Sequence, residues 1–226
     1  MKKNRDMFAK KWHTPEIIRY VEESVGREES DLKKVLARTE EKGLGNIQIS
    51  ALEGRILECL AKACQAKKAV EIGTLGGYSA HWIARGLVDG GRLYTLEKDP
   101  LNAGVAMECV RESNLSKKIS VMEGDALETL STVSKLGPFD FCFIDADKVN
   151  YPFYIKWAVK NLRSGGIMAA DNAFLGGRLN ALEEAAGEDA QAIRAMREFF
   201  HILTDTASFS SCAVIPTGEG MAIGVR

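Results

Sequence analysis

The sequence predicts a doubly wound α/β fold, a mostly parallel seven-stranded sheet whose last strand is antiparallel, preceded by accessory helices. Three observations indicate this class. Five short apolar runs alternate with longer segments of helical pattern, two further runs stand close together at the end of the chain, and the residues before the first run have helical patterns.

The five alternating runs predict the parallel part of the sheet. Each is short and apolar and ends in glycine, aspartate, glutamate or asparagine, as expected of strands that are buried on both faces and joined by crossover helices. Such alternation is the signature of doubly wound α/β proteins. The runs occupy residues 67–73, 91–97, 118–125, 139–147 and 165–172.

The last two runs, residues 209–217 and 220–226, predict an antiparallel hairpin. The few residues between them, around Gly218, cannot form a crossover helix, so the two strands must run in opposite directions. The sheet should therefore end with a reversed strand.

Residues 1–66 predict a helical extension to an α/β core at 67–226, within one domain that spans the chain. Thr14 and Pro15 are suited to cap and begin a helix, and Gly43 is suited to end the next one. We expect these helices to serve as a lid or as an oligomer contact.

The charge balance and hydropathy argue against nucleic-acid and membrane partners. The 226 residues include 30 Lys and Arg against 31 Asp and Glu, so no overall positive field would attract polyanions. The basic stretch at residues 1–11 is more simply a solvated terminus. No run approaches the roughly 18 apolar residues of a membrane span. The five cysteines lack disulfide or zinc spacing, so we expect a cytoplasmic protein.

A glycine-containing segment, residues 71–79, follows the first predicted strand. The dinucleotide fingerprint needs glycine where this segment has Leu75, so a pyrophosphate site is only weakly predicted. Glu71 would instead attract a cationic ligand, and Glu97, at the end of the second strand, would bind ribose hydroxyls. Together these acids favour S-adenosylmethionine, which is cationic and has no phosphate. The alternatives are a helix-capping role for Glu71 and an exposed strand-end carboxylate at Glu97.

Two aspartates end the fourth and fifth predicted strands. Neighbouring strands are about 4.8 Å apart, so Asp145 and Asp171 could share one cation. The amide of Asn172 completes a hard oxygen set suited to Mg²⁺ or Mn²⁺, with Ca²⁺ as a further candidate. Each aspartate could alternatively cap the helix that follows it. Lys148, three residues beyond Asp145, is either a proton acceptor at the same edge or a surface lysine.

Several blocks make the sequence resemble the cation-dependent O-methyltransferases, typified by caffeoyl-coenzyme A and catechol O-methyltransferases. The specific blocks are VEIGTLGGYSA at 70–80, FIDADKVNY at 143–151 and ADN at 170–172, in family order. The resemblance covers nearly the whole chain. It implies a methyltransferase-type, Rossmann-like fold and methyl transfer from S-adenosylmethionine to a hydroxyl of a small, catechol-like aromatic acceptor.

The resemblance also implies roles for individual residues and a homodimer with the N-terminal helices partly in the contact. Lys148 corresponds to the general base, with Asp145 in the same catalytic group. The positions that correspond to metal ligands are Asp145, Asp171 and Asn172. The positions that correspond to cofactor contacts are Ile49, Glu71, Gly73, Thr74, Ser79, Glu97, Ala126, Asp145 and Asp147.

One departure from the family concerns the acceptor. After Asn172 many relatives have an aromatic and then a polar residue, whereas this chain has Ala-Phe-Leu-Gly-Gly at 173–177. A small catechol is therefore a better expectation than a bulky acyl-coenzyme A ester. The rival functions are a nicotinamide-dependent Rossmann oxidoreductase, whose phosphate site Leu75 disrupts, a non-catalytic S-adenosylmethionine-binding protein, and an RNA methyltransferase, which the near-neutral charge disfavours.

Overall fold

The computed structural model describes residues 14–45, 47–181 and 185–226. The basic stretch at residues 1–11 lies outside these ranges. Within them, no helix is both long enough and apolar enough to cross a bilayer.

Three helices precede the sheet: α1 (Pro15–Val25), α2 (Ser30–Glu41) and α3 (Ala51–Ala63). As predicted, the Thr14 hydroxyl caps α1 by accepting the N–H of Ile17, and α2 ends two residues before Gly43. Helix α3 begins with a capping box, in which the Ser50 hydroxyl accepts the N–H of Glu53 and the Glu53 carboxylate accepts the N–H of Ser50. The sequence therefore fixes the helix ends locally.

The seven strands form a single sheet in the order β3-β2-β1-β4-β5-β7-β6. Strand β7 is antiparallel to its neighbours β5 and β6, and the pairs among β1 to β5 are parallel. This confirms the predicted fold class, including the reversed last strand. The strands are β1 (Lys68–Ile72), β2 (Arg92–Glu97), β3 (Ile119–Glu123), β4 (Phe139–Ile144), β5 (Leu162–Ala170), β6 (Ser211–Ile215) and β7 (Met221–Val225).

Helices cover both faces of the sheet. On one face Phe141 and Phe143 of β4 pack with residues of α2 to α5. On the other face Cys142 and Ile144 pack with residues of α6 to α8. Because successive strand residues point to opposite faces, burial on both sides requires continuous apolar runs. These helices are α4 (Tyr78–Gly86), α5 (Pro100–Arg111), α6 (Ala126–Val133), α7 (Tyr151–Asn161) and α8 (Gly187–Leu203).

The strand order reverses direction between β1 and β4. From β1 the chain moves outward through β2 and β3, whereas β5 lies on the far side of β4. Doubly wound sheets bind ligands at the carboxyl ends of the strands beside such a reversal. Ile72 pairs with Ile144, which pairs with Ala170, so the residues that follow β1, β4 and β5 emerge side by side at this edge.

Candidate active site

A cavity of about 400 Å³ opens at this carboxyl edge of the sheet. All but two of the predicted site residues line it. Glu71 and Asp171 are buried and lie outside the lining. The lining includes Ile49, Gly73, Thr74, Ser79, Glu97, Ala126, Asp145, Asp147, Lys148 and Asn172.

The glycine loop after β1 lies against the end of β4. Gly73 has φ +96°, and a Cβ there would stand 2.0 Å from the carbonyl oxygen of Asp145. The N–H of Asp145 in turn donates to the carbonyl oxygen of Ile72 at 2.9 Å. Only glycine permits this approach of two backbones, which places the loop and Asp145 on the same wall of the cavity.

Glu97 holds the glycine loop by its backbone. Its Oε2 accepts the N–H groups of Thr74 at 3.1 Å and Leu75 at 2.8 Å, and its Oε1 accepts the N–H of Asp99 at 2.9 Å. The side chain is buried, so it is not the exposed strand-end carboxylate of the alternative interpretation. A carboxylate has about four acceptor sites, which leaves capacity for the predicted contact with ribose hydroxyls.

Glu71 is completely buried beneath the loop. Its Oε2 accepts a hydrogen bond of 2.6 Å from the Thr95 hydroxyl, and its Oε1 forms no hydrogen bond of standard geometry. Burial raises the pKa of Glu71 to about 8, an effect that Ser79 and Thr95 only partly offset. The acid is therefore mostly protonated at neutral pH, and a nearby cationic ligand would favour its ionised form. Its contact with a cofactor stays a prediction.

The N-terminal extension contributes to the cavity wall. Ile49 lies in the segment between α2 and α3 and is buried. Thr39, Ile47 and Gln48 line the cavity beside it. The extension therefore lines the site, and its role as a lid or as an oligomer contact stays a prediction.

Two further predicted cofactor positions, Ala126 and Asp147, also line the cavity. Ala126 is the first residue of α6, whose N-terminus is capped by the Asp125 side chain through the N–H of Leu127 at 2.8 Å. Asp147 accepts hydrogen bonds from the Tyr154 hydroxyl at 2.7 Å and the Asn150 amide at 2.6 Å. Local hydrogen bonds thus hold both positions, and their roles toward a cofactor stay predictions.

Lys148 lies at the cavity edge and is half-buried. Its ammonium forms an ion pair with Asp145 Oδ1 at 3.2 Å, so it is not the freely solvated surface lysine of the alternative interpretation. Two further oxygens accept hydrogen bonds from Nζ, the Ala146 carbonyl at 2.8 Å and the Tyr151 hydroxyl at 2.9 Å. The amine is therefore fixed beside the first predicted metal ligand.

Asp171 and Asn172 follow β5 next to this group. Asp171 is 6% exposed, and its Oδ1 has no hydrogen-bond partner. Burial, and then the charge of Asp145, raise the pKa of Asp171 to about 7. Asn172 has a left-handed backbone, φ +57°, and lines the cavity. Neither aspartate stands at a helix cap, since α7 begins only at Tyr151 and a short 3-10 turn follows Phe174.

These residues offer oxygen ligands, but carboxylates alone do not complete a cation site. Among residues 14–45, 47–181 and 185–226, no three His, Cys, Asp or Glu side chains are grouped to hold a metal ion. A cation here would need the Asn172 amide together with water or acceptor oxygens. Such a partly open oxygen set is typical of Mg²⁺ sites.

The segment after Asn172 is tied to the turn of the terminal hairpin. The N–H groups of Ala173 and Phe174 donate to the carbonyl oxygens of Gly220 at 2.8 Å and Glu219 at 2.9 Å. The Glu219 carboxylate also accepts the N–H of Gly176 at 3.0 Å. The five residues that depart from the family pattern thus have a defined conformation beside the predicted metal ligands.

Sequence reasoning missed two residues that organise the site, Thr95 and Tyr151. Thr95 lies within β2, where its hydroxyl contacts both Glu71 and Thr74. Tyr151 begins α7 and binds Lys148. The sequence contains a signal only for Tyr151, because the spacing Lys-x-x-Tyr would bring the two side chains together on one turn of helix.

The chain matches known proteins over most of its length. The family model for O-methyltransferases covers residues 21–226. A catechol O-methyltransferase from Mycobacterium tuberculosis is 38% identical over 183 residues, which cover 81% of each chain. Another from Niastella koreensis is 34% identical over 212 residues, covering 91% of this chain and 94% of the relative.

The fold is also similar to solved structures. An O-methyltransferase from Bacillus cereus in complex with SAH superposes with a TM-score of 0.84 at 31% identity, covering 95% of this chain and 98% of that one. The residues matched by the family model, 21–226, include the glycine loop, both aspartates and the terminal hairpin. The chain therefore belongs to the family of S-adenosylmethionine-dependent O-methyltransferases.

Proposed function

We propose that this enzyme methylates one hydroxyl of a small, catechol-like aromatic acceptor and requires a divalent cation, Mg²⁺ or Mn²⁺. The observation that carries the proposal is that Lys148, paired with Asp145, lines the same cavity as Asp145 and Asn172. Two similar proteins are named catechol O-methyltransferases, which supports an acceptor of this class.

The residues present fit a hard divalent cation. The buried Oδ1 of Asp171 lacks a partner, and the charge of Asp145 adds to the cost of ionising that carboxyl. A cation held by Asp145, Asp171 and Asn172 would offset both costs. When bound, such a cation acts as a Lewis acid and lowers the pKa of a hydroxyl that it contacts.

The chain's own contribution to the chemistry is a positioned base. Once its ammonium has lost a proton, Lys148, held beside Asp145, would accept the proton of the acceptor hydroxyl. The resulting oxygen attacks the methyl carbon of S-adenosylmethionine, so that the new C–O bond forms as the S–C bond breaks and a neutral thioether leaves. The enzyme's main task is to hold oxygen and methyl carbon in line at near-contact distance.

The remaining lining residues suit the cofactor. Glu97 is fixed by backbone N–H groups and keeps acceptor sites for hydroxyl groups. Thr74 and Ser79 face the same cavity, and Ile49 covers it from the N-terminal extension. We assign the methionine end to the glycine loop and the ribose to Glu97, as the family resemblance implies.

We also propose that the enzyme is a homodimer in a reducing compartment, the cytoplasm. Helix α1 has no buried residue, and Ile17, Ile18, Tyr20 and Val25 are exposed on it. An amphipathic helix of this length gains most of its stability from packing, so a second copy is a reasonable partner for this surface. Light scattering after gel filtration would measure the mass, and a monomer at micromolar concentration would contradict the dimer.

All five cysteines are free thiols, which suits a reducing compartment.

The central experiment measures methyl transfer to matched catechols with and without a chelator. We expect methylation in Mg²⁺ or Mn²⁺, loss of activity with EDTA, and recovery when the cation is restored. Monophenols of the same size, which offer one oxygen only, serve as matched acceptors and should react poorly. Methylation that is unaffected by EDTA would contradict the cation requirement, and preference for monophenols would contradict the acceptor class.

A separate titration tests the cofactor. Thermal unfolding midpoints should rise with S-adenosylhomocysteine in the manner expected of a ligand that binds only the folded state. NAD at the same concentration should have no effect, because Leu75 interrupts the pyrophosphate fingerprint. A shift with NAD alone would favour the oxidoreductase interpretation.

A further inference from the structure

Tyr151, the first residue of α7, is completely buried, and its hydroxyl lies between the ends of β4 and β5. The oxygen is 2.9 Å from Lys148 Nζ and 3.1 Å from the Asp171 carbonyl oxygen. The Ile144 carbonyl oxygen, at 3.4 Å, is a weaker acceptor. One hydroxyl thus joins the proposed base to the backbone of a proposed metal ligand.

The direction of these hydrogen bonds follows from the chemistry of the groups. An ammonium group can only donate, so the Tyr151 oxygen accepts from Lys148. A carbonyl oxygen can only accept, so the proton of Tyr151 is donated to Asp171. Lys148 also lies 4.7 Å from the centre of the Tyr151 ring, within range of a cation–π contact.

Packing alone does not account for the hydroxyl. The Tyr151 ring contacts Tyr154 and Phe199, with ring centres 6.5 Å and 5.6 Å away. Phenylalanine would fill the same apolar space without bringing a polar atom into the core, where an unpaired hydroxyl is unfavourable. The hydrogen-bond partners of the hydroxyl are the Lys148 ammonium and the carbonyl oxygens at the ends of β4 and β5.

We propose that Tyr151 is a positioning residue that acts through Lys148. The lysine side chain is long and has several rotamers, whereas the Tyr151 ring is fixed in the core. A hydrogen bond to a fixed hydroxyl holds the amine on the Asp145 side of the cavity. This inference rests on the proposed role of Lys148 as the base, and the experiment below separates the two.

The first test is Tyr151→Phe, which removes one oxygen and keeps the ring. Because misplacing a catalytic group by about 1 Å can cost on the order of 100-fold in rate, we expect kcat to fall by about 10- to 100-fold. The KM for S-adenosylmethionine and the Kd for S-adenosylhomocysteine should stay within about twofold, since the cofactor side of the cavity is unchanged. Tyr94→Phe, at a half-buried tyrosine of β2 outside the cavity lining, is the matched control and should keep full activity.

A double-mutant cycle with Lys148→Met shows whether Tyr151 acts through the lysine. In the Lys148→Met background, Tyr151→Phe should cause no further loss of kcat. Losses that multiply independently would overturn the inference, as would an unchanged kcat in Tyr151→Phe alone. Full activity in Lys148→Met would instead contradict the base assigned under the proposed function, a different and recognisable outcome.

A readout apart from activity keeps the inference testable if Tyr151→Phe is unstable. Saturating S-adenosylhomocysteine stabilises the folded state by mass action, so NMR relaxation of the Lys148 side chain can be measured on that complex. We expect the order parameter at the end of the side chain to be high in the wild type and clearly lower in Tyr151→Phe. Equal order parameters in the two proteins would show that Tyr151 does not position the amine.

Discussion

The hydroxyl of Thr95 donates a hydrogen bond of 2.6 Å to Oε2 of Glu71 and thereby joins the second strand to the buried acid of the first. Thr95 also contacts the Thr74 hydroxyl of the glycine loop. Either hydroxyl can be the donor in that contact. The Thr95 hydroxyl thus links the buried Glu71 to a residue that lines the cavity.

Thr95→Val should weaken both stability and cofactor binding. Valine keeps the shape and the strand preference of threonine but leaves Glu71 without its hydrogen bond and frees the Thr74 hydroxyl. Loss of a partner for a buried polar group costs about 1–3 kcal/mol. Urea unfolding and calorimetry with S-adenosylhomocysteine measure the two effects. Thr95→Ser, which keeps the hydroxyl, should recover most of the stability and most of the binding. A valine variant equal to wild type would refute the role of the Thr95 hydroxyl.

Glu71 should make the protein less stable as pH rises from about 5 to 8. Burial raises its pKa from an ordinary 4.5 to about 8. In this window the unfolded chain has released the proton while the folded protein retains it, so higher pH favours unfolding. The slope reaches about 1.4 kcal/mol per pH unit. In Glu71→Gln this group no longer titrates, so the variant should gain stability relative to wild type across the window. Parallel pH profiles for the two proteins would contradict the assignment.

The sequence predicts the positions of Asp145 and Asp171 because each follows an apolar run, and the ends of parallel strands meet at one edge. It could not predict the contact between Glu71 and Thr95. They are partners in the β1–β2 register, and a shift of one residue would turn Thr95 to the other face. The register between two strands depends on how the helices pack against the sheet. No local sequence pattern of this chain predicts that packing.

Burial limits prediction in a second way. Glu71 and Asp171 were expected among the site residues from their places at strand ends, yet both side chains lie outside the cavity lining. Strand ends can be located from hydropathy, but the depth of a side chain depends on the elements packed above it. The contact between Lys148 and Tyr151 depends on the 3-10 turn Lys148–Asn150, which leads into α7.

Gly73→Ala should be far more harmful than Gly77→Ala. Both glycines have positive φ, +96° and +89°, which costs a residue with a Cβ about 1–2 kcal/mol. At Gly73 the new Cβ would also stand 2.0 Å from the Asp145 carbonyl oxygen, whereas at Gly77 the nearest atom is 3.6 Å away. In urea unfolding, we expect Gly77→Ala to lose only the free energy that the positive φ costs. Gly73→Ala should lose several kcal/mol together with binding of S-adenosylhomocysteine, and equal losses in the two variants would contradict this geometry.

Asp171→Asn should stabilise the protein without a cation and abolish its response to one. The pKa of Asp171 is raised to about 7 by burial and then by Asp145, so at pH 8 the folded protein holds an unfavourable buried charge. Asparagine keeps the shape and removes that charge, which should raise the free energy of unfolding in EDTA by roughly 2–4 kcal/mol.

Mg²⁺ should raise the unfolding midpoint of the wild type and leave that of Asp171→Asn unchanged. Asp89→Asn, at an exposed turn, is the control and should match the wild type in both conditions. A variant that is less stable than wild type in EDTA, or that still responds to Mg²⁺, would show that Asp171 is not the ligand its buried, unpartnered oxygen indicates.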